Sequence, residues 1–392
     1  MQDEDSLVIG AGGPIRILFL NLENFVDFQK ESQNYLVRLP ILNCGLSIEH
    51  RDISHQRALK TKGRRAAEDE ALSALRSFRP HLVVYAHTWR YGDLSPDFFS
   101  VARAEGAKVI SCIWDSYVVA AHSELQLFQN SDCLLIADSL NGYLRWRLLS
   151  AMVGGPAVGL CMGMYHFPPE PTESKQRDVT ILGSVFGERM ELARFLRDGL
   201  QKQGLELYTV GGMYTEQDKE LAYRQLWVDW EPYGKAIRQS RICLNSQTTS
   251  DRMQIKGKIF EIVGRGTLCL SDANPESARM FPPNIFPLYR NHAECLEIIL
   301  HYLGDEPARL AKEQEMMSWM KQNFDSKAFY SSLIRAVAFG EGEVPTHAFL
   351  SKEFDILMNR RRKMSSAFVD IVAAEIESLS RDGSFPIAAS KS

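Results

Sequence analysis

Short, β-branched apolar runs alternate with helical patterns along most of this chain, and that alternation constrains the fold more than any other feature. In the first half, "IRILFLNL" (15–22), "HLVVYAH" (81–87), "KVISCIW" (108–114) and "CLLIADS" (133–139) have strand character. Between them, "NYLVRLPILNCG" (34–45), "RRAAEDEALSALRSF" (64–78) and "SPDFFSVARAEG" (95–106) have helical character. Strands that alternate with helices imply βαβ units and a parallel sheet. The pattern breaks at "YHFPPEPTESKQRD" (165–178), which holds three prolines and five charges without periodicity. This stretch reads as a linker. The alternation then restarts with "VTILGS" (179–184), the helix "ERMELARFLRDGLQKQG" (188–204) and "LELYTVGG" (205–212). "YGKAIRQS" (helix), "RICLNSQ" (strand), "NIFPLY" (strand) and the helices of 292–324 follow.

A chain of 392 residues exceeds what one core usually holds, so two domains are expected. The expected architecture is α/β, with two Rossmann-like domains facing each other across a cleft. The first spans 1–165 and the linker 166–178. The second spans 179–340, and a helical tail at 341–392 packs back on the first domain or on a second subunit. Ligands of such sheets sit beyond the carboxyl ends of the strands. With 45% hydrophobic and 24% charged residues the composition is that of a globular protein, and a net charge of -4 leaves no footprint for nucleic acid. The seven cysteines are scattered and none forms a CxxC pair, which fits a reducing cytoplasm better than zinc or a disulfide framework. The start, "MQDEDSLVIGAGG", is acidic and does not read as a secretory signal. The longest apolar run, 148–164, is interrupted by Gly154, Gly155 and Pro156, which suits a helix end, a turn and a strand better than a membrane span.

One stretch concentrates candidate chemistry: "KGKIFEIVGRGTLCLSD" (256–272). On a helix, Ile255, Ile259, Ile262 and Val263 share one face, while Lys258, Glu261 and Arg265 share another. Gly266 suits a left-handed helix end, and "TLCLSD" the next strand. Lysines in a first turn oppose the helix dipole unless an anion is bound there. Lys256 and Lys258 would then face a phosphate, and Glu261, expected at the cleft surface, would accept hydrogen bonds from ribose hydroxyls. The structural alternative is a surface Lys258–Glu261 pair contributing a few tenths of a kcal/mol.

This stretch, together with "FPPNIFPLYRNHAECLEIILHYLGDEPARLAKE" after it and "VTILGSVFGERMELARFL" before it, resembles the carboxy-terminal domain of CgeB-type spore-maturation glycosyltransferases of the GT-B group. "RPHLVVYAH" and "KVISCIWDSY" resemble the amino-domain strands of that family, so the similarity runs over about residues 75–325. The resemblance implies nucleotide-sugar binding in the second domain and an acceptor groove in the first. By position Glu261 matches the ribose-holding acid and Lys258 the base near the diphosphate. Gly183, Ser184 and Arg189 match a glycine-rich turn and its basic residue. Many retaining GT-B enzymes carry a second glutamate eight residues before the ribose-holding one; here that place is Met253, with Asp251 nearby but out of register. The implied activity is metal-independent transfer of a sugar from a nucleoside-diphosphate sugar to a hydroxyl of a glycan, a lipid-linked glycan or a protein. No cofactor beyond that substrate is implied. The alternative is a GT-B fold that binds a glycan or scaffolds an assembly without turnover.

Arg252, in the loop "NSQTTSDRMQIKGK", is a candidate diphosphate contact or else a plain surface arginine. Asp115 and His87 each follow directly on a strand, where a general base for an acceptor hydroxyl would stand. A helix-capping aspartate and a partly buried histidine are the alternatives. "GAGG" (10–13) is followed by Pro14 and a strand, and so is not a dinucleotide fingerprint. "DED" (3–5) mimics a metal-binding Asp-x-Asp, but no plausible element surrounds it, and no metal ligand set is expected. In the tail, Phe354, Leu357, Met358, Phe368, Ile371, Val372 and Ile376 form an apolar stripe around the basic "NRRRK". That pattern leaves a homodimer contact and a peripheral membrane contact as alternatives to packing on the first domain.

Overall fold

The computed structural model describes residues 13–21, 34–87, 94–114, 122–137, 140–161, 173–183, 185–210, 230–247, 255 and 257–346. The first unit comprises β1 (Ile15–Leu20), a π turn (Asn34–Arg38) running into α1 (Leu39–Leu42), β2 (Ile48–Ile53), α2 (His55–Lys62), α3 (Arg64–Phe78) and β3 (Leu82–Ala86). It continues with α4 (Pro96–Ala104), β4 (Lys108–Ile113), α5 (His122–Asn130), β5 (Cys133–Ala137), α6 (Leu140–Val153) and β6 (Ala157–Cys161). The second unit begins with β7 (Arg177–Leu182), α7 (Glu188–Gln201), β8 (Leu207–Val210), α8 (Trp230–Arg238), β9 (Ser240–Asn245) and α9 (Lys258–Gly264). β10 (Leu268–Asp272), α10 (Pro275–Met280), β11 (Leu288–Tyr289), α11 (His292–Gly304), α12 (Glu306–Asn323) and α13 (Ser326–Phe339) follow.

The strands form two sheets, in the orders β2-β1-β3-β4-β5-β6 and β11-β10-β9-β7-β8, and every described pairing is parallel. Parallel sheets are covered on both faces, so their strands are apolar throughout rather than alternating. β3 and β5 are buried at every position. β2, "IEHRDI", is the exception: it is an edge strand, half exposed, and its polar side chains leave no apolar run for a sequence pattern to detect. Arg38 clamps it with a two-toothed bond to Asp52 (2.6 and 2.7 Å) while stacking over Phe19. Helix periodicity explains how the helices lie on the sheets. Ala67, Ala71, Ala74 and Leu75 put one small-residue stripe of α3 against the first sheet. In α7, Ala193, Leu196 and Leu200 make the buried stripe, and Arg189 continues it to the carboxyl edge of the second sheet. Asn274, Asn291, Asp305 and Asp325 cap α10 to α13 by accepting backbone N–H bonds.

In each sheet the chain adds one strand on one side of the first strand and then crosses to the other side. The strand order therefore reverses between β1 and β3 and again between β7 and β9. At such a reversal the connections diverge and leave a crevice at the carboxyl edge. The ties between the units link these edges. Leu36, after β1, lies at van der Waals distance (3.8 Å) from where a side chain on Gly257, before α9, would begin. Leu140 N, at the start of α6, donates to the buried Glu276 carboxylate of α10 (3.2 Å).

The chain end departs from the expected boundary at 340. α13 packs on α1 and β4 of the first unit, so the crossing back occurs before 326. Its physical reason is a buried face of Phe329, Tyr330, Leu333, Ile334 and Val337, which needs an apolar partner. Tyr330 donates its hydroxyl to the Leu36 carbonyl (2.6 Å), and Cys161 Sγ is 2.9 Å from the same hydroxyl. The tail beyond 346, with its apolar stripe and basic cluster, lies outside the described residues.

Tyr330→Phe removes the closer of two donors to the Leu36 carbonyl while keeping the ring, and the Cys161 thiol stays at 3.7 Å. An intramolecular hydrogen bond contributes about 0.5–1.5 kcal/mol, so the urea midpoint is expected to fall with an unchanged m value. An unchanged midpoint would show that this bond does not hold the two units together.

Candidate functional site

The reversal between β7 and β9 brings together residues far apart in sequence. β7 ends at Leu182, and Gly183 turns the chain with a φ of 87° while donating its N–H to the Val210 carbonyl. The Lys258 side chain reaches across from α9 and donates to the Leu182 carbonyl (3.0 Å). Its ammonium rests on the Gly183 Cα, where any Cβ would collide with it; Arg189 Nη1 is 3.5 Å from the same point. Only glycine satisfies both the positive φ and this approach. Arg189 is buried and oriented from below: Nε donates to Ser246 Oγ (3.0 Å) and Nη2 to the Ser246 carbonyl. Two cations therefore converge on one backbone turn at the carboxyl edge of the second sheet. α9 has only seven residues, so the side chains rather than a long helix supply the positive charge.

Glu261 is placed differently from the cleft-surface expectation. It is 6% exposed, and Arg265 on the same stripe is 7% exposed. The charged face of α9 is turned onto α8 instead of solvent, and the Arg265 guanidinium lies against Gly234 of that helix. The apolar face behaves as its spacing predicts, with Ile255, Ile259, Ile262 and Val263 all buried. Burial pushes the Glu261 carboxyl up, opposed by a hydrogen bond from Tyr233 and the attraction of Lys258 and Arg265. The Tyr233 phenol is itself pushed far up by burial and by the neighbouring carboxylate. A surface ion pair between Lys258 and Glu261 is thereby ruled out, because the carboxylate is inside.

His87 is buried at the end of β3 and donates its backbone N–H to Cys112 O (2.9 Å). It shares the reversal of the first sheet with Asn21, which follows β1 at a φ of 63° and accepts from Gln56 N (3.0 Å). Asn21 was not foreseen; a polar residue directly after "IRILFL" was the available signal. Asp115, Ser184, Arg252 and Lys256, along with Asp251 and Met253, lie outside the described residues.

Beside the cationic turn, between α7 and α11, a crevice of about 730 Å³ opens beyond the carboxyl ends of β9, β10 and β11. Arg189, Ser246, Asp272, Asn274 and Tyr289 line it. A groove of about 830 Å³ between α6 and the end of α13 lies at the opposite edge, where β4 and β6 begin, away from the ligand side of the sheet. Among the described residues no group of three His, Cys, Asp or Glu side chains could hold a metal ion, and no helix is long and apolar enough to cross a membrane.

Residues 188–332 match a family model described as glycosyl transferase-like. No curated protein matches the chain. Solved structures do. Anabaena HepE in complex with UDP is similar at 10% identity and a TM-score of 0.54, over 83% of this chain and 100% of that one. The phage T4 β-glucosyltransferase, in complex with its UDP-glucose substrate, gives 12% identity and a TM-score of 0.53 over 83% and 100%. A putative UDP-N-acetylglucosamine 2-epimerase from Listeria monocytogenes gives 10% and 0.54 over 86% and 99%. The two-sheet arrangement is thus the GT-B fold.

The raised carboxyl of Glu261 carries a pH signature. In the folded state the proton is held above the ordinary value of 4.5, so between that value and the folded pKa the native protein binds more protons than the unfolded chain. Stability then falls as pH rises through this window. Urea unfolding from pH 4.5 to 8 is expected to show the wild type losing stability relative to Glu261→Gln. Parallel pH curves for the two proteins would place the carboxylate in water instead.

Proposed function

We propose that this protein is a nucleotide-sugar-dependent glycosyltransferase that holds its donor on the second unit. The observation that carries the reading is the convergence of Lys258 and Arg189 on the Gly183 turn, at the strand-order reversal where such folds take their ligands. When the bond between the anomeric carbon and the diphosphate oxygen breaks, negative charge grows on the leaving group. A lysine ammonium and a buried guanidinium fixed beforehand can stabilise it without a metal ion. Arg252 and Lys256 join this grip in the proposal, with Ser184 next to the turn. Glu261 already accepts one hydroxyl, that of Tyr233, and is the group for the ribose hydroxyls.

The acceptor belongs at the facing edge of the first unit. Its hydroxyl oxygen forms the new bond, and the proton passes to His87 or Asp115. The acceptor class is a hydroxyl of a glycan, a lipid-linked glycan or a protein. All seven cysteines are free and buried, which supports a reducing, cytoplasmic setting. The bound ligands named for the Anabaena and T4 structures make uridine nucleotides the first donors to try.

The test is a thermal-shift panel of nucleoside diphosphates and nucleotide sugars, followed by donor hydrolysis in the presence of EDTA. A ligand at about a hundred times its Kd stabilises the fold by about 2.7 kcal/mol, a shift that is readily measured. Slow release of free sugar, unaffected by EDTA, is the expected result. Binding without turnover under any condition would favour a non-catalytic GT-B protein. Activity lost with EDTA and restored by magnesium would overturn metal independence.

A further inference from the structure

The groove between α6 and the end of α13 takes no part in the chemistry of the cationic turn. Small residues make its walls: Ala151 of α6, Ala157 at the start of β6, and Ala336 and Gly340 at the end of α13. Phe339 and Val344 add apolar surface. Several polar groups at its margin are bonded within the protein. Asp132 accepts from Lys108 Nζ (3.2 Å) and Val109 N (2.9 Å), and Arg147 donates to the Tyr143 hydroxyl (2.8 Å). Ser150 donates to the Pro156 carbonyl (2.5 Å). Glu343 at the rim is exposed and takes part in no ion pair among the described residues.

The chain itself runs along this groove. α13 ends at Phe339, and Gly340 and Gly342, with φ of 68° and 82°, turn the chain there. Val344 Cγ1 then comes within 3.3 Å of where a side chain on Gly159 of β6 would begin. Thr346, the last described residue, lines the groove as well. In the sequence beyond it, Phe354, Leu357 and Met358 have the i, i+3, i+4 spacing of one helix face. The same spacing returns fourteen residues on as Phe368, Ile371 and Val372. Phe354 is eight residues past Thr346, at most about 28 Å of extended chain, so the first triplet is within reach of the groove. The basic run of Arg360, Arg361, Arg362 and Lys363 starts two residues after Met358, and Glu343 offers it an opposite charge.

These features select among occupants. A nucleotide or a sugar would meet apolar walls and polar groups already bonded within the protein, and displacing such a bond is costly. A membrane surface takes up protruding apolar side chains, whereas this surface is concave and small-walled. Large apolar side chains from one helix face complement small residues, as they do in a packed core. Tethering then favours the chain's own segment over that of a second copy, because a short linker sets a local concentration on the order of millimolar.

We propose that this groove is the seat of the chain's own tail, with Phe354, Leu357 and Met358 between α6 and the end of α13 and the basic run beside Glu343. Both walls belong to helices that tie the units together, through Leu140 at the start of α6 and Tyr330 on α13. The seated tail braces these two helices against each other. The proposal is independent of the donor reading.

Hydrogen-exchange mass spectrometry on the full chain tests it, with Ala151→Arg in the groove and Leu357→Asp in the tail. Ala151 is exposed near the end of α6, where a cation suits the helix, so folding is not at risk. In the wild type the amides of 350–376 are expected to exchange at least about tenfold more slowly than in an unstructured chain. Each variant is expected to remove that protection, and Leu357→Asp also to speed exchange over 336–346, with β3 and β5 unchanged. A tail unprotected in the wild type would overturn the proposal. So would protection that survives Ala151→Arg, which would place the tail on another surface. Protection lost on dilution would assign the groove to a second copy's tail, and protection gained only with phosphatidylserine vesicles would assign the tail to a membrane. Either result overturns the intramolecular seat.

Discussion

The Lys258 ammonium reaches the Leu182 carbonyl only because residue 183 has no side chain. That contact joins α9 to the end of β7 across the strand-order reversal and places a cation where the sheet presents its open edge. Arg189 approaches the same turn from the other face of the sheet, fixed by two bonds to Ser246. Each partner restricts the others: the positive φ requires glycine, the glycine admits the lysine, and the Glu261 carboxylate behind it attracts the lysine. A buried carboxylate so close to two cations is tolerated because its charge and its hydrogen bonds are both matched. The chemistry proposed for the second unit depends on this cluster being assembled before any ligand arrives.

Placement of the two edges against each other is a separate matter, and two ties among the described residues bear on it. Tyr330 of α13 holds the Leu36 carbonyl, and Leu36 in turn abuts the start of α9 at Gly257. Thus the last described helix of the chain supports, through one residue, the start of α9. Glu276 adds a second tie by accepting the N–H of Leu140, one of the groups that a helix start leaves unpaired. Both ties are alike in place: Leu36, Gly257, Leu140 and Glu276 each stand on the segment that follows the carboxyl end of a strand. A reorientation of the units would have to break or reform them, which gives the cleft a defined resting geometry.

Much of this was legible in the sequence, for identifiable reasons. Buried parallel strands announce themselves as apolar runs, so "LVVYA", "SRICLN" and their neighbours were found. Gly183, Arg189 and Lys258 were singled out because glycine after a strand and base near a helix start carry meaning even without coordinates. What failed to show was what depends on the partner surface. β2 is polar because it is an edge, and its strand character comes from pairing with β1. The stripe of Glu261 and Arg265 looked solvated, since nothing in one helix reveals that α8 covers it. Asp272 is the last letter of an apolar strand, and only the fold shows that it lines a crevice together with Arg189.

The central claim is that the β7–β9 reversal, with Lys258 and Arg189 on the Gly183 turn, is a diphosphate site. A crystal structure of the full chain with a bound nucleoside diphosphate tests it directly. The account predicts phosphate oxygens within about 3 Å of the Gly183 turn and the Lys258 ammonium, with the lysine released from the Leu182 carbonyl. Phosphate density in the first unit, or at the far groove between α6 and α13, with the Gly183 turn empty, would contradict it.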